Sequence, residues 1–219
     1  MKDVLNNKNP EDGCVIHNGI DFSRFDNCGG QDYIPEENRH FNLLIFGNAP
    51  ATKGIDIAIE SLNYAGNNDL TLYITVSPKK AENLENFLNS CNIPDKLKNH
   101  IQVIPACENV GAYYKACSIF LSPSRHEAFP YSIGEATYCG CKVIASRIPG
   151  QDENAAPDIR WIGDPNSETD IARQLAEAID DMLSVKTDNS ENIKKVQETM
   201  SLKAWVSQTC QIIDDLNKE

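Results

Sequence analysis

No run of apolar residues in this sequence approaches the roughly 18 to 20 that a membrane-crossing helix needs. Its first dozen residues, Met1 to Asp12, lack both the basic start and the apolar stretch of a secretory leader. Cations are scarce, with 20 Lys and Arg against 32 Asp and Glu and a formal net charge of -12. Such a surface repels nucleic acid and anionic lipid, which argues against a polyanion partner. A small anion can still bind where backbone N–H groups and one or two cations converge. Together these absences lead to the expectation of a soluble, cytoplasmic protein with no membrane span and no nucleic-acid partner. Metal-ligand spacing is missing too. Cys139 and Cys141 are separated by one residue, unlike the paired spacing of structural zinc sites, and no histidine cluster accompanies them. We therefore expect no metal site. Neither an internal repeat nor a low-complexity tract is present.

A chain of 219 residues, with 41% apolar and 24% charged residues, suits a single sizeable core. The expectation is one domain over 1–219, with its core between about residues 14 and 216. The eight cysteines (Cys14, Cys28, Cys91, Cys107, Cys117, Cys139, Cys141 and Cys210) are scattered through a chain too long for a stapled mini-domain, and most read as small core residues. Short apolar runs alternate with helix-period segments from Phe41 onward, the pattern of an α/β parallel sheet covered on both faces. Strands are expected at Leu43 to Gly47, Leu70 to Val76, Ile101 to Pro105, Ile119 to Ser122 and Val143 to Ser146. Helical stripes are formed by Ile55, Ala58, Ile59 and Leu62, and by Ile171, Leu175, Ile179 and Met182. Shorter helices are expected near Ala81 to Asn92 and Val110 to Cys117. A last helix over Leu202 to Leu216, with Trp205, Thr209, Ile212, Ile213 and Leu216 on one side, reads as a packing helix. Residues Asn27 to Arg39, rich in turn formers, read as a connector or mobile loop.

The segment Ser122-Pro-Ser-Arg-His-Glu-Ala-Phe-Pro-Tyr-Ser-Ile-Gly-Glu135-Ala-Thr-Tyr-Cys-Gly140-Cys-Lys-Val-Ile-Ala-Ser146 reads as strand, loop, helix, turn, strand. Pro130 suits a first helical position, and Gly140 can end the helix in a left-handed conformation. Glu127 then falls in the loop at a strand's carboxyl end and Glu135 in the following helix. Ligands of open α/β sheets sit beyond those carboxyl ends. A phosphate there could accept bonds from N–H groups near Tyr131 and Ser132, and carboxylates could accept from sugar hydroxyls. Two glutamates eight positions apart, taken alone, are better explained as solvated surface residues.

In its surroundings this segment resembles the glutamate-x7-glutamate motif of retaining, family 4 nucleotide-sugar glycosyltransferases (glycosyl transferases group 1) of GT-B fold. There the run is Glu-Gly-Phe-Gly/Pro followed by Glu-Ala-Met-Ala-Cys-Gly, and Glu127, Phe129, Pro130, Glu135, Ala136, Cys139 and Gly140 match it. Val15-Ile-His-Asn18-Gly19-Ile-Asp21 is similar to the Asn-Gly-Val-Asp segment that opens the family's carboxyl-terminal domain. Gly47 through Lys53-Gly54 is similar to its Gly-Arg-x4-Lys-Gly loop, and Trp205 falls where members often carry a tryptophan. The likeness spans Cys14 to Leu216 and implies a Rossmann-like parallel sheet with helices on both faces, one half of a GT-B fold.

The resemblance implies a nucleoside-diphosphate sugar as donor substrate, with no cofactor and no metal required. It implies that Lys53 contacts the diphosphate and acts as a catalytic cation with Glu127, which faces the donor sugar, while Glu135 takes the ribose hydroxyls. Asn48 stands where the family has arginine; Arg125 or Arg147 could supply the missing charge. Backbone groups of Ala128, Phe129, Pro130 and Tyr131 complete the donor contacts; Ala128 replaces a glycine, so a positive φ there would be strained. His126, beside Glu127, is assigned no role. The chain begins almost at the family's second domain, so the amino-terminal acceptor domain is expected as a missing half or a separate subunit. Two readings stand: the donor domain of a retaining transferase, or a non-catalytic nucleotide-sugar-binding or assembly module of a split or degenerate enzyme. A dinucleotide-dependent dehydrogenase is disfavoured, because Gly47-Asn-Ala-Pro-Ala-Thr-Lys-Gly54 is not a Gly-x-Gly-x-x-Gly fingerprint.

Overall fold

A computed structural model describes residues 16–185 and 188–216. Met1 to Asp12, Cys14, Val15 and the side chain of Leu216 lie outside the described residues. Six parallel strands form one sheet: β1 (Asn42–Phe46), β2 (Thr71–Val76), β3 (Ile101–Pro105), β4 (Ile119–Ser122), β5 (Lys142–Ser146) and β6 (Arg160–Ile162). The helices are α1 (Pro50–Lys53), α2 (Ile55–Ser61), α3 (Ala81–Ser90), α4 (Val110–Lys115), α5 (Tyr131–Tyr138), α6 (Ile171–Ser184), α7 (Ser190–Met200) and α8 (Leu202–Leu216). Strand order is β3-β2-β1-β4-β5-β6, so the chain reverses direction across the sheet between β1 and β4. This is the α/β Rossmann-like fold that the alternating pattern called for.

The inner strands β1, β2, β4 and β5 are buried nearly throughout because both of their faces are covered, whereas the edge strands β3 and β6 are partly open. Leu43, Ile45, Leu72, Ile74, Ile119, Leu121 and Ile144 point to one side, where they meet Ile55, Ala58 and Ile59 of α2 and Ile171, Leu175 and Ile179 of α6. The alternating residues Leu44, Tyr73, Phe120, Val143 and Ala145 meet Tyr113 and Tyr114 of α4, Ile133 and Ala136 of α5, and Val196 and Met200 of α7. Two helical stripes read from sequence thus build the first core. The second rests on shorter helices whose periodicity is weak.

Several expectations need correction. Strand β6 and helix α7 had no counterpart in the sequence reading: β6 is three residues long, and α7 buries only Asn192, Val196 and Met200. Pro130 is the extended N-cap of α5 (φ -78°, ψ 105°), one place before the first helical residue. Helix α8 half-buries Trp205, Thr209 and Ile212 of its stripe but leaves Ile213 of that stripe, and Leu202 and Val206 beside it, 52%, 44% and 49% exposed. Of the described cysteines only Cys117, Cys139 and Cys141 are buried, while Cys107 and Cys210 are exposed. The connector after Asn27 is pinned: Gln31 accepts from the N–H groups of Tyr33 and Ile34 and donates to the Ile34 carbonyl, burying Ile34. No helix among the described residues is long and apolar enough to cross a membrane.

Candidate donor site at the strand crossover

The reversal between β1 and β4 opens a crevice at the carboxyl ends of those strands, the default ligand position in such sheets. Beyond β1 the chain turns through α1, whose last residue is Lys53, and enters α2 through Gly54. Gly54 has φ +70°, and a Cβ there would lie 2.1 Å from the Pro123 carbonyl oxygen. Only glycine permits both the left-handed turn and that approach. The two loops are laced further by the Arg125 N–H, which donates to the Thr52 carbonyl at 2.8 Å. As a result Lys53, at the end of a short helix, reaches across the crossover. Its Nζ lies 2.5 Å from Glu127 Oε1, which also accepts from Ser124 Oγ at 2.8 Å. The two side chains are 29% and 11% exposed, so the pair is sheltered mainly on its carboxylate side.

Beneath this loop lies a polar knot. Gln151, fully buried, accepts from Ser122 Oγ and donates to the carbonyls of Ser122 (2.9 Å) and Ser146 (2.7 Å), while Ser146 Oγ donates to the Ser124 carbonyl at 2.5 Å. Gly150, at φ +83°, sits so close that a Cβ would fall 2.3 Å from the Ala128 carbonyl oxygen. Asn154 Nδ2 donates to the Pro130 carbonyl at 3.0 Å. Residues 146–154 thus form a cradle for the loop that carries Glu127.

Glu135, on α5, is half-buried, and its Oε2 accepts from the hydroxyl of the wholly buried Tyr114 at 3.1 Å. Burial pushes its carboxyl above the usual glutamate range, against the opposing pull of the Tyr114 hydrogen bond and the Arg24 charge.

The remaining expected residues fall out differently. Asn48 is exposed and its Oδ1 accepts from the Ser77 N–H at 2.8 Å, bracing the exit of β2. Arg125 is a strut: its guanidinium donates to both Asp56 carboxylate oxygens (2.8 and 2.6 Å) and to the Ala51 carbonyl (2.7 Å). Arg147 lies over the Trp161 ring, 5.5 Å from its centroid. Arg125 is therefore engaged by Asp56, while Arg147 is exposed and rests on an aromatic face. Ala128 is exposed and escapes the feared strain, since Asp158 and Asp170 are the non-glycine residues with positive φ among those described. Phe129 and Tyr131 meet edge to face at 5.5 Å. Beside the loop a cavity of about 420 Å³ is lined by Glu127, Ala128, Ile148, Gly150 and Asn166 among others. A further hollow of about 320 Å³ near Lys142 and Met182 lies at the amino end of β5 and involves none of these residues. Among the described residues no group of three or more His, Cys, Asp or Glu side chains could hold a metal ion.

Residues 34–196 match the model of the family described as Glycosyl transferases group 1. The chain belongs to this family. It is 24% identical to an uncharacterised glycosyltransferase of Methanocaldococcus jannaschii over 220 residues, covering 99% of this chain and 58% of the relative. It is 29% identical to the O-antigen biosynthesis glycosyltransferase WclY of Escherichia coli over 144 residues, 62% of this chain and 37% of the relative. Among solved structures, a glycosyltransferase of Rickettsia africae superposes with a TM-score of 0.77 at 21% identity, over 100% of this chain and 62% of that one. Anabaena HepE in complex with UDP and glucose superposes with a TM-score of 0.68 at 16% identity, over 97% of this chain and 59% of that one. The fold is thus that of GT-B glycosyltransferases, and the chain spans about three fifths of the length of such relatives.

In this glycosyltransferase-family chain, the structure brings Lys53 and Glu127 into direct contact and leaves Glu135 on a separate partner, Tyr114. Sequence reasoning missed Gln151, Asn154 and Tyr114. A glutamine or asparagine in a loop carries no sign of its burial. Tyr114 was hidden inside a helix candidate of weak periodicity.

Proposed function

We propose that this chain is the donor-binding domain of a retaining glycosyltransferase, taking a nucleoside-diphosphate sugar in the crevice between the β1 and β4 loops. The observation that carries the reading is the Lys53–Glu127 contact: one cation and one carboxylate, from opposite sides of the strand crossover, meeting at the site where such folds hold ligands. Lys53 would exchange its carboxylate partner for the diphosphate, stabilising the negative charge that grows as the anomeric carbon–oxygen bond breaks and its electron pair passes to the leaving phosphate oxygen. Glu127 would turn to the sugar, and N–H groups at the start of α5 would complete the phosphate contacts. Glu135, steadied by Tyr114, would accept from the ribose hydroxyls. Lys53 and these N–H groups supply positive charge, so the reading assigns no metal ion and no cofactor. Complex formation of HepE with UDP and glucose supports the substrate class.

The acceptor, a saccharide or lipid-linked saccharide, would be held by an amino-terminal domain or subunit outside this chain, in a cytoplasmic protein. Polysaccharide biosynthesis is the setting suggested by the O-antigen relative. Calorimetry of the folded chain with UDP-, GDP- and ADP-sugars tests the reading; we expect binding to one nucleotide class, and absence of binding to all of them would sink it.

One observation favours a second reading, a non-catalytic binding or assembly module. Asn48 brings no charge, and the nearby Arg125 is consumed by Asp56. Lys53→Ala and Glu127→Ala in the complete protein separate the two: transfer is abolished if the site is catalytic, and a binding-only activity survives the Glu127 change.

A further inference from the structure

His17 lies outside the motif and has been given no part so far. Its ring stacks on Phe129 with centroids 3.9 Å apart and planes 7° from parallel. Its Nε2 lies 3.2 Å from Glu153 Oε2, and a carboxylate at that distance can only accept. The backbone carrying His17 is itself anchored. The Ile20 N–H donates to the Met200 carbonyl at 2.7 Å, and the Leu202 N–H donates to the Ile20 carbonyl at 3.0 Å. Glu153 belongs to the cradle whose Gly150 and Asn154 press on the backbone of residues 127–130. Phe129 is therefore held from two sides: by its own backbone on the cradle, and by its ring under His17. It stands between Glu127 and the N-cap of α5, so its torsion angles set where the first N–H groups of α5 point.

We propose that His17, oriented by Glu153, is a positioning residue that locks Phe129 and thereby aims the α5 N-terminus at the donor diphosphate. The inference rests on the crevice being the donor site as proposed above. Removing the ring frees Phe129 to rotate, and the diphosphate must then reorder the loop as it binds. On the same reading the nucleoside part is held by Glu135, whose partner Tyr114 lies outside this loop, and so should depend little on it.

The test is titration of the 219-residue chain with UDP, GDP and ADP and with the corresponding monophosphates, together with amide hydrogen exchange at residues 128–132. His17→Ala and Glu153→Ala should weaken diphosphate binding about three- to ten-fold, the scale of one aromatic stack, and hardly change monophosphate binding. Exchange at 128–132 should quicken while β1 and β4 stay protected. His17→Phe, which keeps a stacking ring but not the bond to Glu153, should restore diphosphate affinity only to the level of Glu153→Ala. Lys53→Ala serves as the reference. If it loses diphosphate binding while His17→Ala keeps it, the positioning role is overturned even where exchange has quickened. If neither variant alters binding of any nucleotide, the donor-site reading has failed and takes this inference with it. Equal loss of mono- and diphosphate binding in His17→Ala would also overturn the proposal, since that is the pattern of general structural damage.

Discussion

The two ends of the Lys53–Glu127 pair should respond in opposite directions when cut. The lysine is charge-paired at 2.5 Å with a carboxylate only 11% exposed, and under the proposed donor role a diphosphate must displace that partner. Fully exposed pairs contribute about 0–1 kcal/mol and loss of one partner in a buried pair costs about 3–5 kcal/mol; a half-sheltered pair falls near 1–2 kcal/mol. Glu127→Gln keeps an oxygen to accept from Ser124 and discards the charge, so Lys53 is released. Affinity for the nucleoside diphosphate should then rise about five-fold or more, at about 1.4 kcal/mol per factor of ten. Lys53→Ala removes a charged hydrogen bond of about 1.5–3 kcal/mol and should lower the same affinity by at least about ten-fold. Both variants lose the pair, so both should melt a few degrees lower, roughly 2–4 °C per kcal/mol in a domain of this size. Calorimetry for affinity and differential scanning fluorimetry for melting read the two effects. A Glu127→Gln variant that loses diphosphate affinity in parallel with Lys53→Ala would refute the reasoning, because the carboxylate would then be supporting the diphosphate and not competing with it.

Four further outcomes follow from the geometry. Gly54→Ala must fit a Cβ 2.1 Å from the Pro123 oxygen at φ +70°, so it should cost more than about 2 kcal/mol in urea denaturation and abolish diphosphate binding with it. Gln151→Ala empties a buried knot and strands the Ser122 hydroxyl and two carbonyls; a loss of about 2–4 kcal/mol is expected, with wild-type stability as the refuting result. Tyr114→Phe leaves Glu135 Oε2 without its donor, which should cost about 1–2 kcal/mol and weaken mono- and diphosphate binding alike. Glu135 sets a pH dependence: its folded value is raised by burial, so its contribution to stability is fully present below the unfolded value and is lost as pH rises through the folded one. Glu135→Gln should therefore gain stability relative to wild type toward neutral pH and not in acid. If Glu135 holds the ribose hydroxyls as proposed, nucleotide affinity needs its ionised form and should fall on acidification sooner than an ordinary glutamate would allow; a flat profile across about pH 4–7 would contradict this.

How far the residues foretell this arrangement depends on which physical signal each one carries. Strands β3 and β4 were legible to the residue and β1, β2 and β5 to within one, because each writes a short run rich in apolar residues between turn formers, even at the partly open edge strand β3. Strand β6 is too short to write one, and α7 is polar on most of its surface, with Val196 and Met200 its buried apolar positions. The stripe of helix α8 is half-buried at Trp205, Thr209 and Ile212, while amphipathic spacing gave no sign of the apolar Leu202 and Val206, which remain open together with Ile213. In the site, Lys53, Glu127 and Glu135 stood out through their resemblance to a known motif. Their partners did not. Arg125 looked like a free cation because nothing local reveals that Asp56, on α2, will occupy both arms of its fork. Gln151 looked like a loop residue because burial of an amide is decided by the four strand-end carbonyl and hydroxyl groups that converge on it.

The contacts across the crossover also have a kinetic meaning. Lys53 to Glu127 and Arg125 to Ala51 each join residues 74 positions apart in the chain. Closing a loop of that length must precede any return from the contact, so these bonds are expected to form after the strands have assembled. Substitutions that cut them should hasten unfolding and leave refolding rates nearly unchanged. The crevice would then be the last part of the fold to close and the first to open.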